Sequence, residues 1–246
     1  MSAVLLNARL QLDELAHIPA FTVPSLGLPL ITYLIFGLPD VHGDPRTAAG
    51  VFVGFGAFAL LGIVMFQFGV GIAADRASAW ERFVRTLPSS AAERFVARLL
   101  VALVFGALAL IPVTCCAVLA TPLHLDALTW VRVLVSLLAG AVPLGLLGIM
   151  LGYLLNERGA LPITNLLYLP LSYLGGLFTA RPDDLPALAQ RVAPWLPTRQ
   201  WGELLIGFGL GGQVPVHAVL ALAGYGALFA ALAVFGYRRD EQRQYR

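Results

Sequence analysis

Apolar positions dominate the chain in six long runs, roughly Phe21–Leu38, Ala48–Ala74, Leu99–Thr121, Leu128–Leu155, Leu161–Ala180 and Val214–Tyr237. A helix needs about 20 residues to cross a hydrocarbon core of about 30 Å, so each run predicts a membrane span. None shows the two-residue alternation of a lipid-facing barrel strand, and a helix satisfies its own backbone in lipid. Asp13 and Glu14 precede the first run and no clear small-x-small cleavage pattern follows it, which reads as a retained span rather than a signal peptide. The expected fold is therefore an all-α integral membrane protein of six transmembrane helices.

Polar residues collect between the runs, above all in "DRASAWERFVRTLPSSAAERFVARLL", positions 75 to 100. Ser78 is followed three residues later by Glu81, and Ser90 by Glu93, so two helix starts are signalled. Pro88 separates them and predicts an end to the first helix near Thr86 or Leu87. Trp80, Phe83, Val84 and Leu87 share one face of that helix, with Glu81, Arg82 and Arg85 on the remainder. Glu81 and Arg85 stand at ion-pair spacing. This predicts a small amphipathic helix along the membrane surface, then a second that merges into the third span.

Charge adds an orientation. All sixteen basic residues are arginine. With the N-terminus in the cytoplasm, Arg9, Arg76, Arg82, Arg85, Arg94, Arg98, Arg158, Arg238, Arg239, Arg243 and Arg246 lie inside, and Arg46, Arg132, Arg181, Arg191 and Arg199 outside. Eleven against five is the sense the positive-inside rule requires, so both termini are expected to be cytoplasmic. The chain then divides into an interfacial segment at 1–20, a permease body at 21–237 and a cytoplasmic tail at 238–246. Within the first segment Leu5, Ala8, Leu12 and Leu15 form a stripe suited to the inner interface. The body holds a cytoplasmic loop at 75–98 and an outer segment at 181–213. That outer segment carries Pro182, Pro186, Pro194 and Pro197 with Trp195 and Trp201, so it cannot be one continuous helix.

Composition agrees: 59% of residues are hydrophobic, 12% are charged, and mean hydropathy is +0.81. The missing lysine excludes a G-x-x-x-x-G-K-[ST] phosphate loop, so ATP cannot be bound that way by this chain alone. Cys115 and Cys116 are adjacent within one span and read as small packing residues. His17, His42, His124 and His217 flank different spans, which argues against a shared metal site. Buried carboxylates of the kind an ion-coupled carrier uses are missing from the spans, as are an H-E-x-x-H pair and a G-x-S-x-G elbow. The basic residues lack a soluble platform for nucleic acid. Neutral polar residues lie deep in the spans, and Gln67, Asn165, Tyr168, Ser172 and Tyr173 are candidates to line a substrate path; each could equally serve packing. Gly140, Gly145, Gly148 and Gly152 create a small-residue surface in the fourth span, explained as well by packing within the chain as by dimerisation.

Together these features resemble the permease subunit of an ABC-2 type exporter. The resemblance rests on the N-terminal segment "LLNARLQLDELAHIPAF", six spans with both ends inside, the loop "DRASAWERFVRTLPSS" and the outer segment "RPDDLPALAQRVAPWLPTRQWGELL". It implies a bacterial cytoplasmic membrane protein of the type V exporter-like class, working as a homodimer or pseudo-dimer among membrane lipids. It also implies a separate ATPase subunit that carries ATP and Mg, leaving no cofactor and no enzymatic activity on this chain. Asp75, Arg76, Trp80, Glu81, Arg82, Arg85, Leu87 and Pro88 match the family's coupling loop, and the outer segment is expected to re-enter the outer leaflet as short helices. The cargo would be a drug, lipid or other amphipath moved outward. The alternatives left open are a loop whose arginines only set orientation, a membrane scaffold docking another cytoplasmic partner, and a lipid-modifying intramembrane enzyme.

Overall fold

The computed structural model describes residues 3–17, 19–78, 91–179 and 185–244, and every regular element among them is helical. α1 covers Ala3–Ala16, and α2 covers Pro19–Thr32. The latter runs on through a π-helical turn at Tyr33–Gly37 into Leu38–Asp40. α3 spans Pro45–Val64, passes a second π turn at Met65–Val70 and finishes over Gly71–Ala77. α4 is Ala91–Ala120, α5 is Ala127–Leu154 and α6 is Glu157–Leu174. Two short helices follow, α7 at Ala187–Val192 and α8 at Pro197–Leu204, the second ending in a π turn at Leu205–Gly209. α9 closes the chain at Val216–Gln244.

Helix starts follow local chemistry. Asp44 caps α3, accepting from the Thr47 N–H at 2.9 Å and the Thr47 hydroxyl at 2.6 Å. Asp126 accepts from the Thr129 N–H and Asn156 from the Gly159 N–H, so α5 and α6 also begin on a side-chain oxygen. Pro112 stands inside α4, Pro143 inside α5, and Pro162 and Pro170 inside α6, positions that membrane helices tolerate more readily than soluble ones.

Among the described residues, four helices are long and apolar enough to cross a membrane: Pro45–Ala77, Val96–Ala120, Ala127–Leu154 and Val216–Glu241. α2 and α6 fall outside that set, the first through a shorter apolar stretch and the second because Glu157, Arg158, Asn165 and two prolines make it less apolar along its length. α4 begins at Ala91 and runs on unbroken through Ala120, so the second signalled helix does merge into the third span; the expected tail at 238–246 differs, continuing α9 as helix through Gln244. The expected short helix around residues 79–87, Pro88 and the Ser90 cap lie outside the described residues.

α3 is the mast of the bundle, with nearly every side chain from Thr47 to Phe68 buried. α5 packs along it and along α9, α4 and α2 cover it, α1 lies on α4 and α2, and α6 lies on its π turn. Between helices in lipid there is little hydrophobic driving force, so close van der Waals approach carries the association. The glycines of α5 supply it within the chain: a Cβ at Gly152 would stand 2.5 Å from the Phe68 carbonyl oxygen, and one at Gly148 would stand 2.8 Å from that of Val64. Gly140 instead receives the Trp201 indole, whose Nε1–H donates to the Ser136 carbonyl at 3.0 Å.

A side chain at residue 140 would occupy the volume of that indole. Gly140→Val is expected to lower stability by about 1–3 kcal/mol in a thermal unfolding series in detergent. Gly224→Ala, where a Cβ meets nothing within 4 Å, is expected to leave the midpoint unchanged.

Candidate functional site

Helix ends meet at two polar clusters on opposite sides of the bundle. One forms where α3 stops. Arg76 reaches across to α5, donating from Nη1 to the Gly152 carbonyl at 2.8 Å and to the Leu155 carbonyl at 3.2 Å. Those oxygens belong to the end of α5, where carbonyls lack intrahelical donors and a cation is favoured. Nη2 of the same guanidinium donates to Asp240 Oδ1 of α9 at 2.5 Å, and its carbon lies 5.7 Å from the centroid of the Tyr153 ring. The neighbouring Asp75 pairs with Arg98 of α4. Two consecutive residues thus bind the ends of α5 and α9 and the beginning of α4. Arg76 and Asp240 are mostly buried, with 18% and 11% of their side chains exposed, which distinguishes this pair from a solvated surface bridge.

Among the residues expected to contact an ATPase, Asp75 and Arg76 stand in this cluster. Trp80, Glu81, Arg82, Arg85, Leu87 and Pro88 lie outside the described residues. Arg98 and Asp240 escaped the sequence reading as partners, since nothing local to either names a helix so distant in the chain. The available signal was the acid–base pair Asp75–Arg76 directly after a long uncharged run, which must find opposite charges nearby.

The five candidate path residues separate. Asn165 and Tyr168 share a cavity of about 250 Å³ between α2, α3 and α6, with Ser25, Gly62 and Phe66 also in its wall. Tyr168 is fully buried; its hydroxyl donates to the Phe58 carbonyl at 3.2 Å and its ring stacks on Phe58 at 4.8 Å between centroids. Gly62 makes room, since a Cβ there would stand 2.9 Å from that hydroxyl. Gln67 is buried in the π turn of α3 and does not line this cavity. Ser172 is buried and donates back to the Tyr168 carbonyl at 2.7 Å, while Tyr173 is half exposed.

The second cluster joins α8 to the start of α9. Arg199 Nε donates to Glu203 Oε1 at 2.9 Å, and His217 Nε2 lies 2.6 Å from Glu203 Oε2. Burial pushes the Glu203 carboxyl up, and the hydrogen bonds and charges of His217 and Arg199 outweigh it, leaving the group below its ordinary value. Nearby, Thr198 donates to the Leu171 carbonyl at 2.6 Å and so fastens α8 to α6.

The family model described as ABC-2 type transporter matches residues 3–208. "Putative transport permease YvfS" of Bacillus subtilis (strain 168) is 23% identical over 227 residues, which cover 90% of this chain and 91% of the relative. No solved structure matches.

Two outcomes test the clusters. Arg76→Gln and Asp240→Asn are each expected to cost about 1–3 kcal/mol in unfolding, with a double variant less destabilised than their sum by about 0.5–3 kcal/mol. Because Glu203 has a lower affinity for its proton in the folded protein, its contribution is present above the ordinary glutamate value of 4.5 and is lost as pH falls below it. Glu203→Gln should flatten that part of an acid unfolding profile; an unaltered acid limb would contradict the assignment.

Proposed function

The chain belongs to the ABC-2 type transporter family, and on that premise we propose that it is the permease subunit of an exporter powered by a separate ATPase. In this reading it crosses the bacterial cytoplasmic membrane six times with both termini inside and pairs with a second permease. ATP and Mg belong to the ATPase, which docks on the loop after α3 through Trp80, Glu81, Arg82 and Arg85, with Pro88 setting the turn. A drug, lipid or other amphipath leaves along a path that includes Asn165 and Tyr168.

The observation that carries this reading is the attachment of Arg76. A lever is useful only if its foot is joined to what it must move, and Arg76, in the last turn of α3 where the loop begins, is itself bonded to the ends of α5 and α9. Asp75 extends the joint to α4. A push on the loop would reach three helices without needing to bend α3. The same contacts support the proposed orientation, since Arg76, Arg98 and Asp240 gather at one side of the bundle while Arg46 stands at the start of α3, at the other. The cavity beside Asn165 supports the path, because it combines an apolar wall with a few polar groups, as sites for amphipathic ligands do.

Coexpression with candidate ATPases tests the proposal. The wild-type chain is expected to copurify with its ATPase and to alter its ATP turnover, and replacing Glu81 and Arg85 together by alanine is expected to abolish both effects while the permease still reaches the membrane. Unchanged copurification and turnover would remove the coupling role, and cargo movement without any ATPase would remove the exporter reading altogether.

A further inference from the structure

A groove of about 540 Å³ lies between α5, the π turn after α8 and α9. Val135, Val142, Phe208, Val219 and Leu222 form much of its wall, and Ser136 is the one polar side chain on it. Even that hydroxyl is used internally, donating to the Arg132 carbonyl at 2.8 Å. The size lies within the range of about 300–1,000 Å³ usual for small-ligand sites.

Arg132 gives the groove a charged end. It stands three and four residues before Val135 and Ser136 and therefore continues the same face of α5 by one turn. Its Nη1 lies 3.2 Å from where a Cβ on Gly211 would stand, in the loop between Phe208 and Val214, both of which line the groove. The guanidinium makes no hydrogen bond or ion pair among the described residues. Asp126 feels its charge, yet that carboxylate accepts from the Thr129 N–H. A cation near the end of a membrane helix needs an anion or water, and a guanidinium is matched to phosphate oxygens. From Val135 to Pro143 the α5 wall runs about 12 Å along the helix axis away from that cation.

We propose that this groove binds a membrane glycerophospholipid, with the phosphate on Arg132 and one acyl chain between α5 and α9. The pairing of one cation that makes no hydrogen bond or ion pair among the described residues with a slot of nearly pure hydrocarbon selects a ligand of that construction. The bound chain would fill the gap beside α9, many of whose side chains otherwise face outward. The site is separate from the Arg76 cluster and from the Asn165 cavity, and it needs no ATPase.

Native mass spectrometry of the full-length chain, delipidated in detergent and titrated with palmitoyl-oleoyl phosphatidylglycerol, tests it. One lipid per chain should bind saturably. Arg132→Gln should weaken binding about tenfold or more, and Arg132→Lys, which keeps the charge, should weaken it less. Gly226→Leu should abolish it by filling the slot, since a Cβ there meets Pro143 only at an ordinary 3.6 Å. Asn165→Leu, in the other cavity, should bind as wild type. The proposal is overturned by a non-saturating series of adducts that is the same in every variant, or by equal retention in Arg132→Gln and Gly226→Leu. It is also overturned if Val219→Cys, with Cys115 and Cys116 changed to serine, crosslinks efficiently between chains, because a second copy would then occupy the groove.

Discussion

The guanidinium of Arg76 is the constraint around which this bundle is organised at one end. Four long helices finish or start there, and without a bridging group their termini would present unpaired carbonyls and charges at the edge of an apolar body. A lysine could satisfy one carbonyl or one carboxylate; the planar fork of arginine addresses two helices at once, with an aromatic ring beneath it. Its neighbour Asp75 works in the opposite sense, accepting from Arg98. The alternation of sign along two adjacent residues therefore lets one helix end hold both an anion-bearing and a cation-bearing partner.

Close packing, rather than burial of apolar area, holds the remainder. α3 and α5 meet through backbone, with Gly148 and Gly152 against the carbonyls of Val64 and Phe68. Toward the other end a large side chain fills the packing: Trp201 enters from α8 against Gly140 and hydrogen-bonds to the α5 backbone. The aromatic series Tyr33, Phe55, Phe178, Phe58 and Tyr168 does the same between α2, α3 and α6.

Much of the helical plan was legible because hydrocarbon thickness imposes a length on apolar runs, and the predicted limits of the fourth run differ from α5 by a single residue at each end. The π turns at 33–37, 65–70 and 205–209 were not legible, since one surplus residue in a helix leaves the apolar pattern of a lipid-embedded segment unchanged. Of the candidate site, Asp75 and Arg76 could be singled out as charges following an uncharged run, but their partners in α4 and α9 follow from the fold. Asn165 and Tyr168 share a wall, whereas Ser172, one helical turn beyond Tyr168, turns into its own backbone. Neutral polar residues in a span carry no mark that separates these fates.

The π turn of α3 lies upstream of Asp75 and Arg76 in the same continuous helix. Reverting it to α geometry would take up one residue of slack, rotating everything downstream by about 100° and shifting it by about 1.5 Å along the axis. That rotation would carry Arg76 away from α5 and α9. The helix therefore holds a built-in screw thread, with its locking bolt at the far end.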